Sequence, residues 1–140
     1  ESVHLPFSVT APTPRPELES EMLQLINAER AKVDLSPLRA DEELRQVARR
    51  HSADMFARSY FSHISPDGDT PFDRIRQANI TFLTAGENLA IAQTLPLAHE
   101  GLMNSPGHRA NILRPAFGRV GIGILDGGMY GLMVTQLFRN

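Results

Sequence analysis

Apolar positions at Leu18, Met22, Leu25, Ile26 and Val33 recur at three- and four-residue steps behind Pro16, a residue suited to a first helical turn. They predict an amphipathic helix from residue 16 to 33. A second stripe, Leu44, Val47, Ala48, His51 and Met55, follows Asp41, which fits an N-cap with Glu42 and Glu43 in the turn after it. This second helix ends near Ser59. Thr70-Pro71 with Asp73 three residues beyond Thr70 predicts a short capped helix through Ala78, and Leu95 to Met103 suggests a fourth. Ser105-Pro106 repeats the cap-then-proline arrangement and opens a fifth helix through Leu113, with Pro115 close behind.

The period then changes. Val120, Ile122 and Ile124 alternate with Gly121 and Gly123, Asp126-Gly127-Gly128 supplies a turn, and Tyr130 to Phe138 alternates again, which predicts a C-terminal β-hairpin. Helices first and strands last imply an α+β arrangement in which helices cover an antiparallel sheet. Six of the ten glycines lie between Gly118 and Gly131, a density that favours close packing over the sheet as much as ligand approach.

Upstream of the first helix, residues 1–16 hold Pro6, Pro12, Pro14 and Pro16 and sustain neither helix nor central strand. They read as an extended proline-rich tether ahead of a domain over 17–140, with docking of the arm through Leu5 and Phe7 as the alternative. Composition narrows the partners. Fourteen Lys plus Arg against sixteen Asp plus Glu, with the basic residues scattered, leave no electrostatic footprint for nucleic acid or for an anionic membrane. No apolar run approaches the roughly 18 residues of a spanning helix. The chain begins at Glu1 without an initiating Met, which reads as a processed or trimmed chain whose signal or membrane anchor, if any, lies upstream. There is no Cys, and hence no disulfide and no thiol nucleophile.

HExxH, GxSxG and phosphate-cradling glycine motifs are also missing, so any site must be assembled from distant residues. His63 stands where a helix hands over to the Ile64-Ser65-Pro66-Asp67-Gly68 loop, either as a metal or catalytic residue or as a structural histidine. His108 falls in the first turn after Ser105, where the helix dipole disfavours imidazolium and keeps a nitrogen lone pair available; the alternative is a ring that merely packs. Glu87 and Asn88, flanked by small and apolar residues in Ala85-Gly86-Glu87-Asn88-Leu89-Ala90, read as a cleft carboxylate and amide, or as a helix-start or turn Glu paired with an Arg. Asp67, Asp69 and Asp73 do not follow the order of an EF-hand and read as a solvated turn plus a helix cap. His51 belongs to a core stripe, His99 beside Glu100 to a solvated helix face, and His4 to the tether.

Five segments in sequence, Tyr60-Phe61-Ser62-His63, Gly86-Glu87-Asn88-Leu89-Ala90, Ser105-Pro106-Gly107-His108-Arg109-Ala110-Asn111-Ile112-Leu113, Val120-Gly121-Ile122-Gly123-Ile124 and Thr135-Gln136-Leu137-Phe138, resemble a bacterial CAP domain. This is the SCP-like superfamily of cysteine-rich secretory proteins, antigen 5 and pathogenesis-related 1 proteins. The resemblance implies a three-layer α-β-α sandwich with a central cleft lined by two histidines and acidic residues, often a zinc or other divalent-metal site. His63 and His108 match the two histidine positions and Glu87 the first glutamate. Where the second glutamate is expected, this chain has Asn104 or Ser105, and Glu100 is a turn too early. Leu102 replaces the aromatic of the fourth helix, and the cysteines are missing.

The resemblance implies an extracytoplasmic binding module, secreted, periplasmic or surface-tethered, that takes an envelope component or lipid-like ligand in a cleft of His63, Glu87, Asn88, Ser105 and His108. Zn2+ or another divalent cation on His63 and His108 would be weakly held, because two neutral imidazoles leave open positions and little negative charge. The competing expectation is a metal-assisted hydrolase in which Glu87 is general base to a metal-bound water.

Overall fold

The computed structural model describes residues 2–140. Local chemistry starts its helices where the sequence places them. The Asp41 side chain accepts from the Leu44 amide at 3.1 Å to open α2 (Glu42–Arg58). Thr70 and Asp73 form a reciprocal capping box at the start of α3 (Pro71–Gln77), and Pro16 heads α1 (Pro16–Lys32). Thr94 caps α4 (Leu95–Met103), and Pro106 starts α5 (Pro106–Ile112).

The strands are β1 (Val3–His4), β2 (Thr13–Pro14), β3 (Arg39–Ala40), β4 (Tyr60–Phe61), β5 (Ala85–Ala92), β6 (Arg119–Asp126) and β7 (Leu132–Arg139). The expected hairpin is β6–β7, turned through Gly128–Tyr130 and paired antiparallel from Arg119↔Arg139 to Asp126↔Leu132. On the far side of β7 lies β5, with Gly86 opposite Phe138 and Asn88 opposite Gln136. The outer edge of β6 is shared by two short strands, antiparallel β2 and parallel β3.

Alternation along β6 and β7 sends side chains into two helical layers. Val120, Ile122, Ile124, Leu132, Val134 and Phe138 pack with Met22 and Ile26 of α1, Leu95 and Leu102 of α4 and Ile112 of α5. On the other face, Leu125 and Met133 meet Met55 and Phe56, while Leu137 meets Leu44, Val47 and Ile75. Helices α1, α4 and α5 thus cover one face and α2 with α3 the other, which is the expected α-β-α sandwich. Gly121 and Gly123 face α2 so closely that a Cβ would stand 2.3 Å from Leu44 C and 2.3 Å from Arg49 N. The glycines of β6 therefore serve helix-on-sheet approach.

The proline-rich arm is extended, yet it is no free tether. β1 pairs with β4, putting His4 opposite Tyr60, and Pro14 sits on the sheet edge, where a residue without an amide hydrogen is tolerated. Leu5 is buried with Met55 and Phe56, and the Phe7 ring stacks on Tyr130 at 4.2 Å between centroids. Apolar burial on both sides of Pro6 is what holds the arm down.

Candidate functional site

The centre of the site is an edge strand that hydrophobic patterning did not predict. Glu87 and Asn88 are consecutive residues of β5, so they point into opposite helical layers. On the α2/α3 side, the Glu87 carboxylate is only 1% exposed and fully engaged. One oxygen meets His63 Nδ1 at 2.8 Å and the other accepts from Arg74 Nη2 at 2.8 Å. Arg74 Nη1 also donates to the His63 and Asp69 carbonyls at 2.9 and 3.2 Å, closing the loop that carries His63. Each alternative for Glu87 holds in one part: it is buried, and it is paired with an arginine, but it sits on a strand instead of a turn or a helix start.

On the α5 side, the Asn88 side chain is buried and fixes the neighbouring helix. Its Nδ2 donates to the His108 carbonyl at 3.0 Å and to Gln136 Oε1 at 3.1 Å, while its Oδ1 accepts from Asn111 at 2.9 Å. Asn111 also donates to the Glu87 carbonyl at 3.3 Å. At the other end of α5, the buried Arg30 guanidinium donates to the Ile112, Arg114 and Phe117 carbonyls. The strand and α1 thereby hold the short helix, and His108 with it, at both ends.

The two histidines differ in how their neutral tautomers are set. A carboxylate only accepts, so in neutral His63 the proton sits on Nδ1 facing Glu87 and the Nε2 lone pair is free. His108 Nδ1 lies 2.8 Å from Ser105 Oγ, and a hydroxyl can donate or accept, which leaves the His108 tautomer open. Ser105 is the N-cap of α5, but its side chain serves His108 in place of the helix amides. His108 is held below the ordinary imidazole value by burial and, secondarily, by the nearby His63. The direction is the one expected from sequence, and the chief cause is desolvation. Adjacent residues of β5 hold the two segments, Glu87 the His63 ring and Asn88 the His108 carbonyl, although they come from opposite layers.

The donor set fits a divalent cation at the level of two imidazole nitrogens and no further. Glu87 is occupied by His63 and Arg74, and Asn104 is the exposed C-cap of α4. Among the described residues no group of three or more His, Cys, Asp or Glu gathers as a metal cage. Asp67 pairs with Arg58 and Asp73 completes the α3 capping box, in line with the solvated-turn and cap reading.

Sequence reasoning missed Arg74 and Asn111 as site residues. It also misplaced His99, which is not on a solvated face: the residue is 8% exposed and its Nε2 lies 2.9 Å from Glu29 of α1. His51 is buried as expected, with its Nε2 donating to the Ser62 carbonyl at 2.9 Å. No helix among the described residues is long and apolar enough to cross a membrane.

Residues 23–138 match the family described as the cysteine-rich secretory protein family, CAP. The chain is 42% identical over 122 residues to the "uncharacterized protein YkwD" of Bacillus subtilis (strain 168), an alignment covering 86% of this chain and 48% of that one. An extracellular protein containing an SCP domain from Bacillus anthracis str. Ames superposes with a TM-score of 0.82 at 34% identity, over 89% of this chain and 41% of that chain. An outer surface protein of Borrelia burgdorferi gives a TM-score of 0.86 at 22% identity, over 93% and 98% of the two chains. The chain thus spans about half the length of YkwD, and the likeness to the Borrelia protein is one of fold.

Proposed function

Since the chain belongs to the cysteine-rich secretory protein (CAP) family, we propose that it is an extracytoplasmic binding module whose cleft, around His63, Glu87 and His108, receives an envelope component or lipid-like ligand. The name of the Bacillus anthracis neighbour, an extracellular protein containing an SCP domain, supports that location. The observation that carries the reading is the state of Glu87: both carboxylate oxygens are committed, one to His63 and one to Arg74. Such a carboxylate orients an imidazole, and at 1% side-chain exposure it presents almost no surface to a water. The hydrolase reading relies on proton transfer from a water to Glu87, so the geometry favours binding.

His63 and His108 are the residues that would hold a divalent cation, and an ion there would supply Lewis acidity to a ligand oxygen. Glu87 would act on it through His63, as carboxylates behind metal-bound histidines do. Two protein nitrogens are fewer than the three or four of most zinc sites, so the ion would exchange readily.

The test is co-sedimentation of chelator-stripped protein with washed bacterial envelope fragments, with and without added zinc, beside calorimetric zinc titration. Wild type is expected to sediment and to bind zinc weakly and saturably, and the His63→Ala/His108→Ala variant to lose both. Equal sedimentation of folded wild type and variant would sink the placement of the ligand, and equal zinc heats would sink the metal.

A further inference from the structure

The five-stranded sheet has two edges, and the molecule treats them differently. The β6 edge is covered by β2 and β3, with Pro14 in one of the covering strands, whereas the β5 edge has no strand beside it. Three observations fix which groups point off β5. The Asn140 amide donates to the Thr84 carbonyl at 3.2 Å, and a Cβ on Gly131 would stand 2.7 Å from the Ala92 carbonyl oxygen, so even-numbered residues face β7. The Glu87 carbonyl instead accepts from the Asn111 side chain, outside the sheet. Direction alternates along an antiparallel strand, so the N–H and C=O of Leu89 and Ile91 point away from β7 as those of Glu87 do.

No strand, turn or cap among the described residues bonds those outward groups of Leu89 and Ile91. Leu89 is 5% exposed, its side chain packed on Met55 and Phe56, but Ile91 is 37% exposed between the half-buried Ala90 and Ala92. This end of the edge is open to solvent, with Ile91 at its centre. Exposed edges are ordinarily blunted by a Lys, a Pro, a bulge or a covering segment. The Leu-Ala-Ile-Ala run of 89–92 keeps unbroken register with β7 and carries none of the first three.

We propose that the Leu89–Ala92 half of β5 is a docking edge for an extended polypeptide segment, which adds to the sheet as a sixth strand. Main-chain donors and acceptors that recur roughly 7 Å apart along an edge are matched by another extended backbone. The exposed Ile91 side chain sets a preference for an apolar residue opposite it. A second copy of the chain fits less well. Stable dimers bury ~1,200–2,000 Å2, and Asn111 already takes the edge at Glu87, which leaves residues 89–92 for pairing. The inference does not rest on what the cleft of His63 and His108 binds.

The probe is the capped peptide acetyl-Val-Thr-Val-Thr-Val-amide, titrated into isotope-labelled protein while backbone amide shifts and hydrogen exchange are followed. In the free protein the Ile91 amide is expected to exchange faster than those of Ala90 and Ala92, which bond β7. The peptide is expected to give saturable shifts at residues 89–92 and to slow Ile91 exchange at least 10-fold. With valines opposite Ile91, their amides face β5, so N-methylation of the valines should weaken binding at least 10-fold and N-methylation of the threonines should not. Ile91→Pro removes the outward N–H without touching the ladder to β7 and should cost a similar factor. If that variant does not fold, the two methylated peptides decide. The proposal is overturned by no saturable shift at 89–92, by shifts confined to His63 and His108, by equal affinity of the methylated peptides, or by wild-type affinity in folded Ile91→Pro. Self-association that protects the Ile91 amide without peptide would overturn it too, by giving the edge to a second copy.

Discussion

Removing the Glu87 carboxylate strands Arg74, whose side chain is 12% exposed, and releases the His63 ring from its one carboxylate partner. Deleting one member of a buried pair typically costs about 3–5 kcal/mol, because the surviving charge stays desolvated. Glu87→Ala is therefore expected to lower unfolding stability by about that much, and Glu87→Gln by less, since the amide keeps one acceptor for Arg74. Urea unfolding of the two variants checks this. A loss below ~1 kcal/mol in the alanine variant would mean that Arg74 finds another partner at little cost. Ser105 makes a contrasting case. Its hydroxyl does not dictate the His108 proton, so neutral His63 has a set polarity and neutral His108 does not.

At the scale of elements, the contact between α2 and β6 is closer than any side chain would allow. A Cβ on Gly123 would stand 2.3 Å from Arg49 N and 2.5 Å from Ala48 C, and helix backbone cannot yield as a flexible side-chain tip does. Gly123→Ala is expected to cost at least the ~1–3 kcal/mol of ordinary overpacking and to disturb the loop after α2 that carries His63. Thermal melting checks the cost, and an unchanged melting temperature would contradict the closeness of this packing. The helices were legible in the sequence because Asp41, Thr70, Pro16 and Pro106 mark their starts locally. β5 was not: Ala85 to Ala92 shows no two-residue alternation, since one of its faces carries Glu87 and Leu89 while the other carries Gly86, Asn88 and Ala90. Nothing local sets Arg74 apart from Arg76 on the same short helix, and its partner lies 13 residues away on another element. His99 looked solvated beside Glu100, and its partner Glu29 is 70 positions upstream. His63, Glu87 and His108 were legible as a set only through family resemblance, because no local spacing links them.

For the molecule as a whole, buried imidazoles make stability depend on pH. His51 is held below the ordinary value mainly by burial, with the Arg74 charge adding to the shift, and His108 is lowered by burial and by His63. Below about pH 6.5 the unfolded chain protonates these rings and the folded chain resists, so the unfolded state binds more protons and stability falls as pH falls. Above that value both states hold neutral rings and the contribution is complete. The urea midpoint at pH 5.5 is expected to lie below that at pH 7.5, and the gap to shrink in His51→Gln, whose amide can still donate to the Ser62 carbonyl. An equal gap in the variant would remove His51 from this account.

Because neighbours along β5 serve opposite layers, the site is sensitive to reading frame in space. A one-residue insertion or deletion inside Gly86–Asn88 would carry the carboxylate toward Gln136 and the His108 carbonyl and leave an amide beside Arg74, exchanging what the two faces of β5 present. In the 79–84 connection the same change is absorbed, since pairing with β7 sets the register downstream. A change in length is therefore expected to be tolerated up to the threshold of β5 and to scramble the site once across it.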